Sequence, residues 1–360
     1  MARQIRIFAF GGNEVSPVGL TDANGKAIVP DIAMQWARTA ETSKHIAHIV
    51  ESFPDDSYVL THGNGPQVGN VLLRSEYSRP ILPPLPLDVC GSDTQGSMGY
   101  MLSQILGNEL RSRRINKHVV GIVTQVVVDK DDPGFKNPTK YIGPSYTKEE
   151  ALQRAEKDGW VVKLYKKDDK GNEIWRKVVP SPIPLDIVEF DLVEQAIEQG
   201  MIPITVGGGG IPVIKVDPSE DGNFKCNYGI NFKDGKDTSI YSGVEAVIDK
   251  DLASALLGTM LINRAKEKGE DVEVTLTIFT GEDGAKLNYQ KPDQVDLRHL
   301  TLEEAKKYYS EGHFPAGSMG PKIAAIIKFL EAGGKKAYIS LTAKYLETLE
   351  GKAGTTIVRE

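Results

Sequence analysis

The chain has 360 residues, of which 40% are hydrophobic, and a formal net charge of −6 at pH 7. This acidic balance argues against a nucleic-acid or anionic-membrane binder, because either partner needs a basic surface. Two cysteines exclude a disulfide framework, no Cys/His cluster has zinc-ligand spacing, and no apolar stretch reaches the roughly 20 residues of a membrane helix. We expect a cytoplasmic protein without a signal peptide, with one large α/β domain or two lobes.

Strand-like apolar runs alternate with helix-like segments along the chain. The predicted strands are 5–10, 58–61, 118–128, 201–206, 275–279 and 337–341. The predicted helices are 33–52, 99–110, 148–157, 190–199, 253–267, 302–310 and 320–331. This alternation predicts right-handed crossovers and a largely parallel sheet covered by helices on both faces. Ligands of such sheets bind outside the carboxyl ends of the strands.

Two polar segments interrupt the alternation. Residues 163–177 mix charges with glycine and include Trp175, which predicts an exposed hairpin or flap. Residues 217–241 are rich in glycine, aspartate and lysine, which predicts an inserted hairpin or a mobile loop. Both segments therefore stand outside the regular strand–helix order.

Three glycine-rich turns follow predicted strands. They are Gly11-Gly12-Asn13, Gly63-Asn64-Gly65 and the four glycines 207–210. Because glycine has no Cβ and tolerates positive φ, such a turn can aim several N–H groups at one anion. The alternative is that these glycines only let strands turn tightly or pack against their neighbours. Three such turns in one chain predict a polyanion held from several sides.

Three lysines stand at predicted strand ends or helix starts. Lys130 follows a strand among aspartates, Lys250 lies between two aspartates before a helix, and Lys322 opens a helix behind a proline. Each alone is typical of a solvated surface lysine. Together with the glycine turns they favour phosphoryl transfer, which needs positive charge and backbone donors around the phosphates. Because neither the P-loop nor the dinucleotide fingerprint occurs, the residues alone indicate only a phosphate-handling α/β enzyme.

Several motifs, spread in order along the chain, match those of a known family. They are Gly11-Gly12-Asn13, Thr61-His62-Gly63-Asn64-Gly65-Pro66-Gln67, Leu87-Asp88-Val89-Cys90-Gly91, Asn137-Pro138-Thr139-Lys140, Glu245-Ala246-Val247-Ile248-Asp249-Lys250-Asp251 and Gly317-Ser318-Met319-Gly320-Pro321-Lys322. Through them the chain closely resembles the carbamate kinases of the amino acid kinase superfamily. The resemblance runs nearly end to end.

The resemblance implies a three-layer α/β/α fold around a largely parallel sheet, in a single amino acid kinase domain over residues 1–360. An N-terminal lobe, residues 1–205, would bind the acceptor and carry a flap at 130–180. A C-terminal lobe, residues 206–360, would bind the nucleotide and carry an insertion at 217–241. The resemblance also implies a homodimer that transfers phosphoryl groups reversibly between ATP and carbamate, giving ADP and carbamoyl phosphate. Mg²⁺ would be carried by the nucleotide phosphates rather than by protein ligands.

The resemblance also assigns roles to residues. The backbone around the acceptor and the γ-phosphate would come from Gly11, Gly12, Asn13, Gly63, Asn64, Gly65, Gly208, Gly209 and Gly210. Lys130 and Lys250 would flank the transferring phosphoryl group, with Asp249 holding the lysines, and Lys322 would reach the ATP phosphates. The nucleotide would further contact Gly281, Asp283, Tyr289, Pro292, Met319 and Gly320.

Three positions beside the expected acceptor pocket depart from the family pattern, because Glu14, Ser92 and Asp93 replace small or apolar residues. A carboxylate there repels an anionic acceptor unless it meets a cation or an amino-bearing substrate. A related small carboxylate or carbamate-like acceptor therefore stays open, as does an amino acid, an acetylated amino acid or a phosphate monoester. A non-catalytic nucleotide-binding regulator is the last alternative, and it would require loss of the lysines that are present here.

Overall fold

The computed structural model describes residues 2–17, 19–22, 28–168, 170–219, 222–233, 239–315 and 317–360, with the backbone but not the side chain of Asn13. Its strands are β1 (Arg3–Phe10), β2 (Ser57–His62), β3 (Val119–Gly121), β4 (Gln125–Val128), β5 (Lys140–Tyr146), β6 (Val162–Lys167), β7 (Glu173–Val179), β8 (Pro184–Ile187), β9 (Ile202–Ile204), β10 (Ile211–Lys215), β11 (Asn223–Lys225), β12 (Asn231–Lys233), β13 (Tyr241–Gly243), β14 (Val272–Phe279), β15 (Ala285–Leu287), β16 (Val295–Leu297), β17 (His299–Thr301), β18 (Lys336–Ser340) and β19 (Thr355–Val358). Its helices are α1 (Ile32–Ser52), α2 (Gly65–Ser78), α3 (Leu87–Ser112), α4 (Pro133–Lys136), α5 (Lys148–Asp158), α6 (Phe190–Glu198), α7 (Lys250–Lys268), α8 (Leu302–Ser310), α9 (Met319–Glu331) and α10 (Tyr345–Leu349).

The central sheet has eight strands in the order β17-β19-β18-β14-β1-β2-β9-β3. Strands β18, β14, β1, β2, β9 and β3 are parallel, whereas β19 and β17 run the opposite way. The predicted largely parallel sheet is therefore confirmed. β1 and the strands beyond it come from residues 3–204 of the chain, and β14 and the strands beyond it come from residues 272–358. The β1–β14 pair joins the two halves in one continuous sheet.

Alternating side chains of β1 place a hydrophobic core on each face of this sheet. Ile5 and Ile7 pack into a cluster with residues of α6, α7 and α9. Phe8 and Phe10 pack into a second cluster with residues of α1, α3 and α10. Each such side chain, once fully buried, contributes about 1.5–3 kcal/mol. Helices thus cover both faces, which confirms the three-layer α/β/α fold.

Local chemistry sets several helix ends. Asp31 caps α1 by accepting a hydrogen bond from the Met34 amide at 2.8 Å. Thr147 and Thr301 form capping boxes at the starts of α5 and α8, which satisfies amide groups that lack a partner within the helix. Gly159 and Gly269 end α5 and α7 in the left-handed conformation. These signals are local, so the sequence predicts these helices well.

The predicted strand 118–128 is wrong as a single element. It divides into β3, at the edge of the central sheet, and β4, which belongs to a separate four-stranded sheet in the order β13-β10-β4-β8. Between them, Thr124 donates its amide proton to Gln95 Oε1 at 2.7 Å, and the Gln95 amide donates back to the Thr124 carbonyl at 3.1 Å. The side chain of Gln95 thus replaces a strand partner where the chain changes sheets.

The two polar segments form hairpins. β6 and β7 pair antiparallel within a three-stranded sheet, which confirms the exposed hairpin predicted at 163–177. β11 and β12 pair antiparallel inside the segment 217–241, of which residues 220, 221 and 234–238 lie outside the described residues.

α3 begins at Leu87, twelve residues before the predicted helix 99–110. None of the helices in the described ranges has both the length and the apolar character needed to span a membrane.

Candidate active site

The three glycine turns meet at one edge of the central sheet, because β1, β2 and β9 are neighbours and each turn follows the carboxyl end of its strand. A Cβ atom built on Gly63 would lie 3.2 Å from Lys250 Cδ and 3.7 Å from the amide nitrogen of Gly12. Two turns and a lysine from the second half of the chain are therefore in contact.

Close packing accounts for glycine in the third turn. Gly208, Gly209 and Gly210 have φ angles of 65°, 96° and 89°. A Cβ on Gly209 would lie 2.4 Å from the Ile248 carbonyl oxygen, and the other positions are equally crowded. The amides of Gly209 and Gly210 donate to the carbonyl oxygens of Val206 and Gly207, at 2.9 and 3.0 Å. The packing alternative thus explains these glycines, and their place in a phosphate nest stays a prediction.

A buried carboxylate joins two of the predicted lysines. Lys250, at the first position of α7, forms an ion pair with Asp251, and Lys322 of α9 donates to the other oxygen of Asp251 at 3.0 Å. The three side chains are 12%, 4% and 15% exposed. Two positive charges against one negative charge leave a partly buried excess of positive charge. Such a cluster favours an anion beside it.

The pKa shifts follow from this arrangement. Burial by itself raises the pKa of Asp251, but the two lysine charges outweigh it and bring the pKa to about 2. Burial lowers the pKa of the Lys250 ammonium, against the opposing effect of Asp251. Asp251 therefore stays ionised at neutral pH and keeps both lysines in place. This carboxylate, rather than a water shell, balances the buried charge.

Among the described residues, Asp249 forms no hydrogen bond or ion pair with Lys130, Lys250 or Lys322, and the role assigned to it from the resemblance stays a prediction. Its Oδ1 accepts the amide of Asp251 at 2.9 Å and caps α7, and its Oδ2 accepts from Lys140 Nζ at 3.1 Å. Asp251 instead pairs with Lys250 and Lys322, because the first turn of a helix points residues two apart in different directions. Lys140, which belongs to the matching motif at 137–140, was not predicted as the partner of Asp249.

Lys130 lies outside the buried cluster. Its ammonium pairs with Asp217 at the surface, where the two side chains are 50% and 71% exposed. The hydrogen bond that the Lys130 ammonium donates to Asp217 raises the pKa of Lys130, and burial has little effect on it. The structure therefore brings Lys250 and Lys322 together and leaves Lys130 apart from them.

Glu14 lies beside a cation, which is one of the two conditions under which a carboxylate at this position does not repel an anionic acceptor. Its carboxylate is 4% exposed, accepts a hydrogen bond from Thr342 at 2.9 Å and lies 3.7 Å from the Arg38 guanidinium. Burial raises its pKa, and Thr342 and Arg38 oppose that shift. Asp93 is exposed and Ser92 half-buried on α3. The buried carboxylate is thus held by α1 and by the turn after β18.

A cavity of about 120 Å³ lies beside the lysine cluster. Its lining residues are Thr280, Glu282, Gly284, Lys286, Tyr289, Pro315, Ser318, Met319 and Lys322. Three predicted nucleotide residues, Tyr289, Met319 and Lys322, are among them. Because Lys322 also contacts Asp251, this cavity and the lysine cluster share a side chain.

The remaining predicted nucleotide residues, Gly281, Asp283, Pro292 and Gly320, are not among its described lining residues. Asp283 has a structural task, because it accepts the Gly354 amide at 2.7 Å and pairs with Arg298 at 3.3 Å. Its neighbour Glu282 lines the cavity instead and accepts a hydrogen bond from the Tyr289 hydroxyl at 2.6 Å. In a loop, one residue of offset decides which carboxylate faces the cavity.

The described residues contain no group of three or more His, Cys, Asp or Glu side chains that could hold a metal ion. Asp251, the acidic residue at the centre of the cluster, is already bonded to two lysines.

The fold and this site define a phosphotransferase of the amino acid kinase fold. The carbamate kinase of Thermococcus kodakarensis is 42% identical over 356 residues, covering 98% of this chain and 99% of the relative. That of Pyrococcus horikoshii is 43% identical, covering 98% of each chain. The structure of the Giardia lamblia carbamate kinase bound to AMP-PNP superimposes with a TM-score of 0.79 at 34% identity, covering 100% and 99%. The chain belongs to the carbamate kinase family. No family model matches it.

Proposed function

We propose that the protein catalyses reversible transfer of the γ-phosphoryl group from ATP to carbamate, giving ADP and carbamoyl phosphate. The observation that carries this proposal is the buried Lys250–Asp251–Lys322 cluster in contact with Gly63 and next to Gly12. The names of its relatives, and the AMP-PNP bound to the Giardia enzyme, support the choice of substrates.

The chemistry asks for positioning and charge neutralisation. Carbamate is too small to supply much binding energy, so the rate must come from placing it in line with the γ-phosphate and stabilising the charge that spreads over the phosphoryl oxygens. Lys250 supplies the central positive charge, and the turns after β1 and β2 supply backbone N–H donors other than that of Gly63, which donates to the Phe10 carbonyl at 2.9 Å. Asp251 fixes the lysine ammonium before the substrates arrive, which lowers the reorganisation cost.

The nucleotide lies across the cavity beside α9 in this proposal. Tyr289 and Met319 contact the base and ribose, and Lys322 reaches from the cavity to the β- and γ-phosphates. Mg²⁺ is carried on those phosphates. Lys130 stays in the proposal as a second cation for the phosphoryl group. Its side chain would have to leave Asp217 at the surface and move toward the site. Asn13, Asn64, Gly65, Gly11 and glycines 208–210 complete the proposed acceptor side.

The organisation into lobes belongs to the same proposal. The N-terminal lobe, residues 1–205, carries the flap and binds the acceptor. The C-terminal lobe, residues 206–360, carries the insertion and binds the nucleotide. We further propose that the protein works as a homodimer in the cytoplasm. Sedimentation analysis then gives a mass twice that of the 39.4 kDa chain, and a mass of one chain at micromolar concentration would contradict the dimer.

The proposal is tested by measuring ATP formation from ADP and carbamoyl phosphate with Mg²⁺. Lys250→Ala is expected to lower kcat by about 10³-fold, since it removes one preorganised charge from the transition state. It should still fold, because Lys322 continues to neutralise Asp251. Lys157→Ala, an exposed position on α5, is the matched control. Near wild-type turnover in Lys250→Ala would remove this lysine from the mechanism, and no ATP formation by the unaltered protein would overturn the proposal.

Other acceptors are tested in the ATP-consuming direction. Acetate, N-acetylglutamate and glutamate are offered in place of carbamate, at equal concentration. Since Glu14 is occupied by Arg38 and Thr342, we expect no preference for an amino-bearing acceptor. Faster turnover with any of the three would reassign the acceptor while keeping the phosphotransferase.

A further inference from the structure

We propose that the protein has a second small-molecule site, between the flap hairpin and the α2–α3 connection, that binds an α-amino acid with a cationic side chain. The flap hairpin is β6 and β7 with the end of α5. The site is separate from the phosphoryl-transfer site, and the argument for it uses neither ATP nor carbamate.

The site is a cavity of about 480 Å³, which is within the usual range of ligand pockets. Its apolar lining includes Leu87, Phe135, Pro138 and Trp160, and β7 of the flap hairpin adds Lys177 and Val179. It has no lining residue in common with the lysine cluster, the glycine turns or the 120 Å³ cavity. An occupant would touch both the flap and the body of the protein.

Lys177 offers a place for a carboxylate. Its ammonium lies 4.9 Å from the centre of the Trp160 ring and, among the described residues, donates no hydrogen bond and forms no salt bridge. Burial lowers the pKa of Lys177, and the charges of Glu245 and Glu76 oppose that shift. An anionic ligand would replace the solvation that the ammonium loses on burial. The contact with the indole ring fixes the ammonium beside Trp160, which also lines the cavity.

Glu76 offers a place for a cation. Its side chain is 9% exposed, and its Oε1 accepts a hydrogen bond from Arg79 at 2.9 Å. Its Oε2 is buried and accepts no hydrogen bond from any described residue, with Arg154 Nη1 still 3.8 Å away. A buried acceptor without a donor is costly, and a ligand N–H group would satisfy it.

The count of charges selects the class of ligand. Asp158 is already paired with Arg79 and Arg154, at 3.0 and 2.9 Å. Glu245, at the rim, is exposed and forms no salt bridge among the described residues. Arg79 and Arg154 thus balance Asp158 and Glu76, but Glu76 Oε2 keeps no hydrogen-bond donor among the described residues, and Glu245 keeps an unpaired charge. A ligand can therefore offer one carboxylate to Lys177 and one N–H group to each of these two glutamates. The complementary ligand carries one carboxylate and two cationic groups, which is the charge pattern of a basic amino acid.

Isothermal titration of the full chain tests the site with L-lysine, L-arginine, L-norleucine and L-glutamate. We expect one saturable site per chain for lysine or arginine, with binding at least tenfold weaker for norleucine and glutamate. Lys177→Gln should weaken that binding at least tenfold, whereas Lys157→Gln, an exposed lysine outside the cavity, should leave it unchanged. Tyr228→Ala removes an exposed side chain that lines the cavity and leaves the core intact. It should also weaken binding, and it serves as the test if Lys177→Gln fails to fold.

Two outcomes would overturn the proposal. One is that neither basic amino acid gives a saturable isotherm, or that all four amino acids bind alike. The other is that saturating Mg²⁺ and AMP-PNP abolish the binding by competition, because the ligand would then occupy the phosphoryl-transfer site. Failure of the ATP-forming assay, by contrast, would leave this site standing.

Discussion

A buried histidine lies under the glycine turns. His62 ends β2, and a Cβ on Gly207 would come within 2.5 Å of its Nε2. Burial lowers the pKa of His62 from 6.5 to about 4, with Lys250 adding to the shift and the Gly63 carbonyl opposing it. The ring is therefore neutral at pH 7. Its role is to fill the space where two turns meet.

This residue predicts how stability depends on pH. Between pH 6.5 and about 4, His62 binds a proton in the unfolded chain but stays neutral in the folded chain. The free energy of unfolding therefore falls as the pH drops. The share of His62 in that loss is about 2 kcal/mol between pH 7 and pH 5. Urea unfolding of the wild type and of His62→Gln at both pH values measures it. Equal pH dependence in the two proteins would show that His62 is not the group responsible.

Among the structural elements, the turn after β9 depends most on its glycines. Gly209 has φ 96° and no room for a Cβ, whereas Gly200, just after α6, has φ 71° and no atom within 4 Å of its Cβ position. Both positions carry the cost of a left-handed backbone for any other residue. Only Gly209 adds a steric collision.

The comparison of two alanine variants separates these costs. Gly200→Ala should lower the free energy of unfolding by about 1 kcal/mol, which is the cost of the left-handed backbone alone. Gly209→Ala should lower it by at least about 3 kcal/mol, because the Ile248 carbonyl must also move. Denaturant titration of both variants gives the difference. Similar losses in the two would mean that the turn relaxes easily.

Elements with a local signal were predicted well. The helix 302–310 was placed at its observed bounds, because a capping box at Thr301 and an amphipathic repeat define it locally. The prediction of one strand over 118–128 was wrong, since no residue within that range signals that the chain changes sheets at Thr124. The Gln95 side chain that permits the change lies on another helix. For the same reason, no local pattern showed that Asp251 rather than Asp249 pairs with Lys250 and Lys322.

Across the whole molecule, the proposed site spans both halves of the central sheet. The turns after β1 and β2 come from one half, and α7 and α9 come from the other. Residues on both sides of the β1–β14 junction therefore contact the phosphates in this proposal. A bound nucleotide then stabilises the protein as one unit.

The expected effect is a single shifted transition. AMP-PNP with Mg²⁺ at a hundred times its Kd should raise the free energy of unfolding by about 2.7 kcal/mol. Lys322→Met should remove most of that gain at the same concentration. Lys328→Met, an exposed lysine on the same helix, is the matched control and should keep it. Two separate transitions, or an unchanged gain in Lys322→Met, would contradict this account.

The sequence by itself determined the layered α/β class, most of the helices, the three glycine turns after strands and the family resemblance. These depend on periodicity, caps and motifs, which act between residues close together in the chain. Only the tertiary structure decided that Asp251 joins Lys250 to Lys322, that Lys130 pairs with Asp217, and that Glu14 is held by Arg38. Such partners lie on elements far apart in sequence. Their choice depends on packing, which no local pattern encodes.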